Sequence, residues 1–363
     1  MGLIRVLLAV SVVLWHVKQP WAPVAGFVAV LSFFIISGFY MSMVIDTTYS
    51  KMGPDWKRKF YTSRVLRLYP VYIVVFLVSV TFHNLIGVTT IFTAGLPLSN
   101  DWFTFMLLSN LSIVGMDAVN FILASAHWTN LPDLREIAVS WTLGIELQYY
   151  LAAPFIVKKS IRFGMIVLLI ALSIRFLLIG QSYYLWQYYF APADWCFFLL
   201  GHSAYRLTRD IDETIKQRIG RIAAVALPCV AVIAQVWNPV GSDRPVLWFY
   251  YIVLAASIPF IFALTKNIRW DNWLGNFSYP IYICQFPMIP MILFAVPRNY
   301  HWNRVEDVAL LQVFSVIAAG AMLYFIVERP VDALRATLKR RNLSAVLKPA
   351  PVSVPASHDV DRR

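Results

Sequence analysis

The chain has 363 residues, of which 59% are hydrophobic and only 14% charged, and its mean hydropathy is +0.64. A soluble domain is roughly half apolar and a quarter charged, so this composition excludes a soluble globular protein. The net charge of +12 bears first on membrane orientation, because basic residues collect in cytoplasmic loops; it carries no argument for nucleic acid.

The apolar runs are continuous and not alternating, which predicts an all-α polytopic membrane protein and disfavours a barrel. About ten transmembrane helices can be drawn: Leu3–Val17, Pro23–Ile45, Leu68–Gly87, Trp141–Val157, Phe163–Gly180, Tyr188–Tyr205, Ile219–Trp237, Val246–Leu264, Trp273–Val296 and Val308–Val327. Between the third and fourth, Trp102–Ala124 is apolar but broken by Asn110, Ser112, Gly115, Asp117 and Asn120. This stretch near 102–124 reads as a re-entrant or interfacial segment, with one more full span as the alternative.

With the N-terminus in the cytoplasm, 25 of the 31 basic residues fall on the inner side. Lys18, Arg135, Arg244, Arg298 and Arg304 fall outside, and Arg175 lies within a span. An extra span at 102–124 would move Lys158, Lys159 and Arg162 to the wrong side, so the ten-span drawing is preferred. Residues 1–330 are then one transmembrane domain. Residues 331–363, basic and then rich in Pro, Ser and Ala, read as a disordered cytoplasmic tail. No cleavage site follows the first run, so that helix is expected to stay in the protein. Cys196, Cys229 and Cys284 lie in apolar runs without metal or redox spacing and read as packing residues.

Two polar residues stand out in the first helix. Arg5 and His16 are eleven positions apart, close to three turns, so they share a face and lie roughly 16 Å apart along the axis. Ionisable residues inside a span are costly and usually functional; the bland reading is a snorkelling arginine and an interfacial histidine. Glu146, five residues into the fourth span, sits by the same topology near the depth of His16. A His16–Glu146 pair would be a general-base arrangement, in which the carboxylate orients the ring. In the second inner loop, Arg64 and Arg67 are at i and i+3 on one helix face. Arginines suit phosphate, so they fit a cytoplasmic nucleotide or coenzyme A donor; ordinary orientation charge is the alternative. Ser37-Gly38, in Phe33-Phe34-Ile35-Ile36-Ser37-Gly38-Phe39, allows close backbone approach. Arg175 and Asp194 read as a buried pair holding neighbouring helices together.

Taken in order, these segments resemble the integral-membrane acyltransferase-3 family, bacterial O-acyltransferases that decorate extracytoplasmic glycans. Arg5…His16, Phe33–Phe39, Arg64…Arg67, Trp141–Tyr150, Leu274–Tyr282 and Glu328-Arg329-Pro330 carry the resemblance. Gln285 stands where the family usually has a histidine, and Leu31-Ser32 stand where it often has an aspartate.

The resemblance implies transfer of an acyl group, acetyl first, from cytoplasmic acyl-CoA to a hydroxyl of an extracytoplasmic glycan or lipid-linked sugar. No bound cofactor or metal is implied, and the setting is the bacterial inner membrane and its lipids. His16 is the expected base or acyl carrier, and Glu146 its orienting partner. Arg5, Arg64 and Arg67 are expected on the donor. Ser37 would serve the oxyanion, Trp141, Tyr149 and Tyr150 the acceptor mouth, and Tyr279 and Tyr282 support. The rival classes are a secondary transporter or flippase, in which Arg175 and Asp194 would be transport charges, and an inactive family member.

Overall fold

A computed structural model describes residues 1–97, 99–125, 132–178, 181, 183–237, 245–296 and 305–347. Within them the chain is helical, with no strand. The order is α1 (Gly2–His16), α2 (Gly26–Thr47), α3 (Trp56–Leu85), α4 (Asp101–Ser112), α5 (Met116–Ala124), α6 (Trp141–Val157), α7 (Ile161–Leu177) and α8 (Ala191–Thr208). There follow α9 (Glu213–Trp237), α10 (Pro245–Thr265), α11 (Arg269–Gly275), α12 (Ser278–Ala295), α13 (Val305–Leu323) and α14 (Arg329–Leu347).

Among the described residues, six helical stretches are long and apolar enough to cross a membrane: Gly26–Lys51, Trp56–Leu85, Glu213–Val236, Pro245–Thr265, Arg269–Ala295 and Val308–Leu338. The protein is a multi-pass helical membrane protein. Helices α1, α6 and α7 have only 15 to 17 residues. The segment at 102–124 is two short helices, α4 and α5, separated where Ile113 and Gly115 take left-handed φ values of 66° and 85°.

Helices α2 and α8 form the centre because glycine lets their backbones touch. A Cβ on Gly38 would lie 1.9 Å from the Phe198 carbonyl oxygen, and one on Gly201 would lie 1.9 Å from that of Ile35. Small residues at a crossing let dispersion contacts form along the whole seam. Phe34 and Phe198 stack beside the crossing at 4.6 Å. Helix α1 packs on α2 and α12. Its first turn is capped by the Asp271 carboxylate, which accepts from the Gly2 and Leu3 backbone N–H groups at 2.9 Å each. Asp212 does the same for α9: the Thr214 and Ile215 N–H groups hold its carboxyl below the ordinary carboxylate range.

Arg175 and Asp194 form a fully buried ion pair of 3.1 Å. Arg175 also donates to the Gln187 carbonyl at 2.6 Å and lies over the Phe197 ring. This holds α7 to α8.

Residues 331–347, the first part of the stretch read as a tail, are helical as most of α14. Composition gave no core for this stretch, yet Asp332 and Arg335 anchor its first turns against α3. The tail after Leu347 lies outside the described residues, as do the Arg244, Arg298 and Arg304 of the charge count.

Gly201→Val should therefore destabilise the protein by about 1–3 kcal/mol, because the α2 backbone cannot give way as a flexible side chain would. Thermal unfolding in detergent should show the loss, while Gly87→Ala, where an added Cβ meets nothing within 4 Å, should cost only the strain of its positive φ.

Candidate active site

Helices α1, α2, α3, α6, α12 and α14 enclose a cavity of about 460 Å³. Its lining on α2 runs from Val30 to Val44, about 21 Å of helix. One end is charged, with Arg5, Arg64, Arg67, Asp332 and Arg335. The middle is polar and aromatic, with Ser37, Tyr40, Glu146, Tyr150 and Tyr279. The other end closes on Val30, Phe33, Thr142 and Tyr282.

Four polar residues of the middle section, Ser37, Glu146, Tyr150 and Tyr279, have defined bonds. Glu146 accepts from Ser37 Oγ at 2.6 Å and from the Tyr150 hydroxyl. Tyr279 donates to the Leu68 carbonyl at 2.8 Å. At the closed end the Tyr282 hydroxyl and Thr142 Oγ1 are 2.8 Å apart, and Phe33 meets Tyr282 edge-on at 6.1 Å. These bonds fix the side chains before any ligand enters.

The charged end is built from three helices far apart in sequence, α1, α3 and α14. Arg67 on α3 bonds Glu328, which is 3% exposed, and lies 3.7 Å from Asp332. Arg64 lies over the Tyr150 and Phe60 rings. Of the predicted donor residues, Arg5 and Arg64 face the cavity without an ion-pair partner among the described residues, whereas Arg67 is engaged by two carboxylates.

His16 sits elsewhere. Its Nδ1 is 2.9 Å from Gln285 Oε1. Gln285 is fully buried, and its Nε2 donates to the Tyr282 carbonyl at 2.7 Å. That donation turns the amide oxygen toward the ring, so His16 Nδ1–H must be the donor. The neutral ring then carries its lone pair on Nε2, the atom a general base uses.

The expected His16–Glu146 pair does not form. Residues Leu134, Glu136, Ile137, Val139 and Ser140, which lead into α6, are buried. Helix α6 therefore starts below the rim of the bundle, and Glu146 lies deeper than a helix beginning at the surface would place it. Gln285 takes the orienting position beside the histidine, and Glu146 belongs to the Arg5 cavity. Trp141 and Tyr149, expected at the acceptor mouth, do not line this cavity. Trp141 packs between Tyr188 and Tyr189 at 4.9 and 5.0 Å, and Tyr149 stacks on Phe198 at 4.5 Å. Tyr150, Tyr279 and Tyr282 do line the cavity.

Tyr40, Asp332 and Arg335 also line it and were not foreseen. A signal for the last two was present. Glu328, Asp332 and Arg335 are spaced i, i+4, i+7, which puts all three on one helix face.

Comparison with known proteins adds the following. A family model for the acyltransferase domain of the acyltransferase-3 type matches residues 1–327. The peptidoglycan O-acetyltransferase OatA of Listeria monocytogenes is 23% identical over 90% of this chain and 54% of its own length. The O-acetyltransferase OatA of Staphylococcus aureus is 21% identical over 90% of this chain and 56% of its own length. The chain thus spans about half the length of the curated relatives it matches. No solved structure matches.

The Arg67–Glu328 pair yields a stability prediction. Arg67→Met strands a buried carboxylate and should cost about 3–5 kcal/mol. Adding Glu328→Gln to that variant should recover much of the loss, as read by denaturation of the two single variants and the double.

Proposed function

The chain belongs to the acyltransferase-3 family, and from that premise we propose that it is a membrane O-acyltransferase. It moves an acyl group, acetyl first, from cytoplasmic acyl-CoA to a hydroxyl of an extracytoplasmic glycan or lipid-linked sugar. The observation that carries this reading is the relation between the two parts of the site. The closed end of the arginine-lined cavity is Tyr282, and Gln285, the partner of His16, follows one helical turn later. A donor lying along α2 would point its acyl group toward the base.

In this reading the phosphates of the donor stay with Arg64 and its neighbours, and Arg5 and Glu146 border the pantetheine arm. His16 Nε2 takes the proton of the acceptor hydroxyl. The hydroxyl oxygen bonds to the acyl carbon, the carbon–sulfur bond breaks, and the departing thiolate takes up the proton from the imidazolium. The same lone pair serves if His16 first accepts the acyl group. Ser37 donates its one proton to Glu146, so it can serve the oxyanion only once that bond is released. The Phe33–Tyr282 layer has to part for the acyl group to pass, a motion of two side chains.

Ten membrane crossings, with both termini cytoplasmic, fit the same picture. The cavity's charged end gathers the starts of α1 and α3 and the end of the last long helix. The ends of α2 and α8 meet through Asp46 and Arg209 at 3.5 Å, and the adjoining ends of α9 and α10 through Glu213 and Lys266 at 2.6 Å. Basic residues cluster on these ends, which supports an inner-membrane placement with this side inward. The relatives are named for O-acetyl transfer, one of them to peptidoglycan, so a cell-wall glycan is the first acceptor to test. The transport reading gains nothing, because Arg175 and Asp194 line neither this cavity nor the one beside it.

His16→Ala should lower transfer from labelled acetyl-CoA to cell-envelope glycan about 10²–10⁴-fold in membranes where the protein inserts normally. Transfer at the unsubstituted rate would overturn the assignment.

A further inference from the structure

The cavity holding Arg5 and Glu146 continues into a second, of about 660 Å³, under the basic first turns of α3. Val44, Arg64, Asp332 and Arg335 line both, so they form the throat between them. Arg58, Lys59, Thr62 and Ser63 stand around the second cavity. In the throat, Arg335 donates to Asp332 and, at 3.4 Å, to Ser63 Oγ. Asp332 reaches Arg67 with its other oxygen at 3.7 Å.

Two atoms are left over. Nε of Arg64 and Nε of Arg335 are buried and have no hydrogen-bond partner among the described residues. A buried N–H without an acceptor costs roughly 1–3 kcal/mol. The two arginines stand on different helices and line both cavities, so an acceptor-rich group in the throat would meet two guanidiniums. Guanidinium forks match phosphate oxygens, bind them bidentately and keep their charge.

We propose that this throat is a phosphoryl-binding subsite built by Arg64 and Arg335, and that Asp332 is the internal carboxylate that a bound phosphoryl group displaces from Arg335. The pairing is suited to exchange. Asp332 and Arg335 are i, i+3 on one partly buried helix face and both line the throat, so their contact can open by side-chain rotation into the cavity. Arg67 keeps Glu328 when Asp332 leaves, so no buried charge is stranded. The Ser63 hydroxyl stands ready as a further donor. The carboxylate thus weakens phosphate binding by competition. In its absence from the throat, Arg64, Arg67 and Arg335 face Glu328 alone.

The ligand's identity as acyl-CoA rests on the function proposed above; the subsite requires only a phosphate ester or diphosphate, from a nucleotide or from a lipid headgroup. The test is calorimetric titration of the full chain in nonionic detergent with coenzyme A, with pantetheine and with short-chain phosphatidylglycerol. Asp332→Asn should bind coenzyme A about fivefold more tightly and Arg335→Gln about tenfold more weakly, with pantetheine insensitive to both. Arg335→Lys, which keeps the charge and loses the fork, should fall between the last variant and the unsubstituted chain. If phosphatidylglycerol follows this pattern and coenzyme A does not, the subsite stands and the acyl-CoA reading falls. Weaker coenzyme A binding by Asp332→Asn would overturn the displacement. Unchanged affinity for both phosphate probes in stable Asp332→Asn and Arg335→Gln variants would overturn the subsite.

Discussion

A charge taken into a helix bundle has to meet an opposite charge or open space, and Arg67 meets Glu328 across 261 residues of sequence. Most of the charged end of the cavity depends on that pair. Glu328 is 3% exposed, so leaving it unpaired would cost several kcal/mol. The pair pins the last long helix to the first turns of α3. With that helix fixed, α14 emerges alongside α3, and Asp332 and Arg335 arrive at the mouth of the cavity. The interaction is therefore architectural before it is functional. Arg67 is spent on holding the wall, and Arg64, Arg335 and Arg5 are the guanidiniums left to face a ligand.

The histidine shows the opposite economy. A carboxylate beside His16 would favour the imidazolium. Gln285 is neutral, and its amide is locked by the Tyr282 carbonyl. It fixes the tautomer and ring orientation without adding a charge to a low-dielectric region. Glu146 is kept in the neighbouring cavity, where Arg5 offers a countercharge and Ser37 and Tyr150 supply hydrogen bonds. Base and countercharge thus occupy separate compartments, divided by Phe33, Thr142 and Tyr282.

Much of this was legible from residue types. The continuous apolar runs gave helices, and Ser37-Gly38 marked a close crossing, which α8 supplies. Arg5, Arg64, Ser37, Glu146, Tyr150, Tyr279 and Tyr282, singled out because a polar side chain in a span needs a reason, all line one cavity. Depth was not legible. It was counted from the ends of apolar runs, and the buried approach to α6 carried Glu146, Trp141 and Tyr149 further in than the count allowed. Partner choice was not legible either. Arg67 reads as a phosphate ligand until Glu328 is seen beside it. The face shared by Glu328, Asp332 and Arg335 was hidden by composition, because a basic tail rich in small residues after it lowered the apparent order of the whole stretch.

The turn before α14 explains how that face is aimed. Residues Tyr324–Glu328 form a wide π-type segment between α13 and α14. Pro330 follows at once. It has no N–H to offer the Ile326 carbonyl, and in a straight α-helix its ring would press on that carbonyl. A widened turn relieves both problems by adding a residue to the local period, which rotates everything after it by about 100° relative to α13. Helix α13 can then present its own face to α12 while Glu328, Asp332 and Arg335 turn toward α3. The Glu328-Arg329-Pro330 triplet is in this sense one device: the proline resets the register, and the glutamate uses the new direction to close the site.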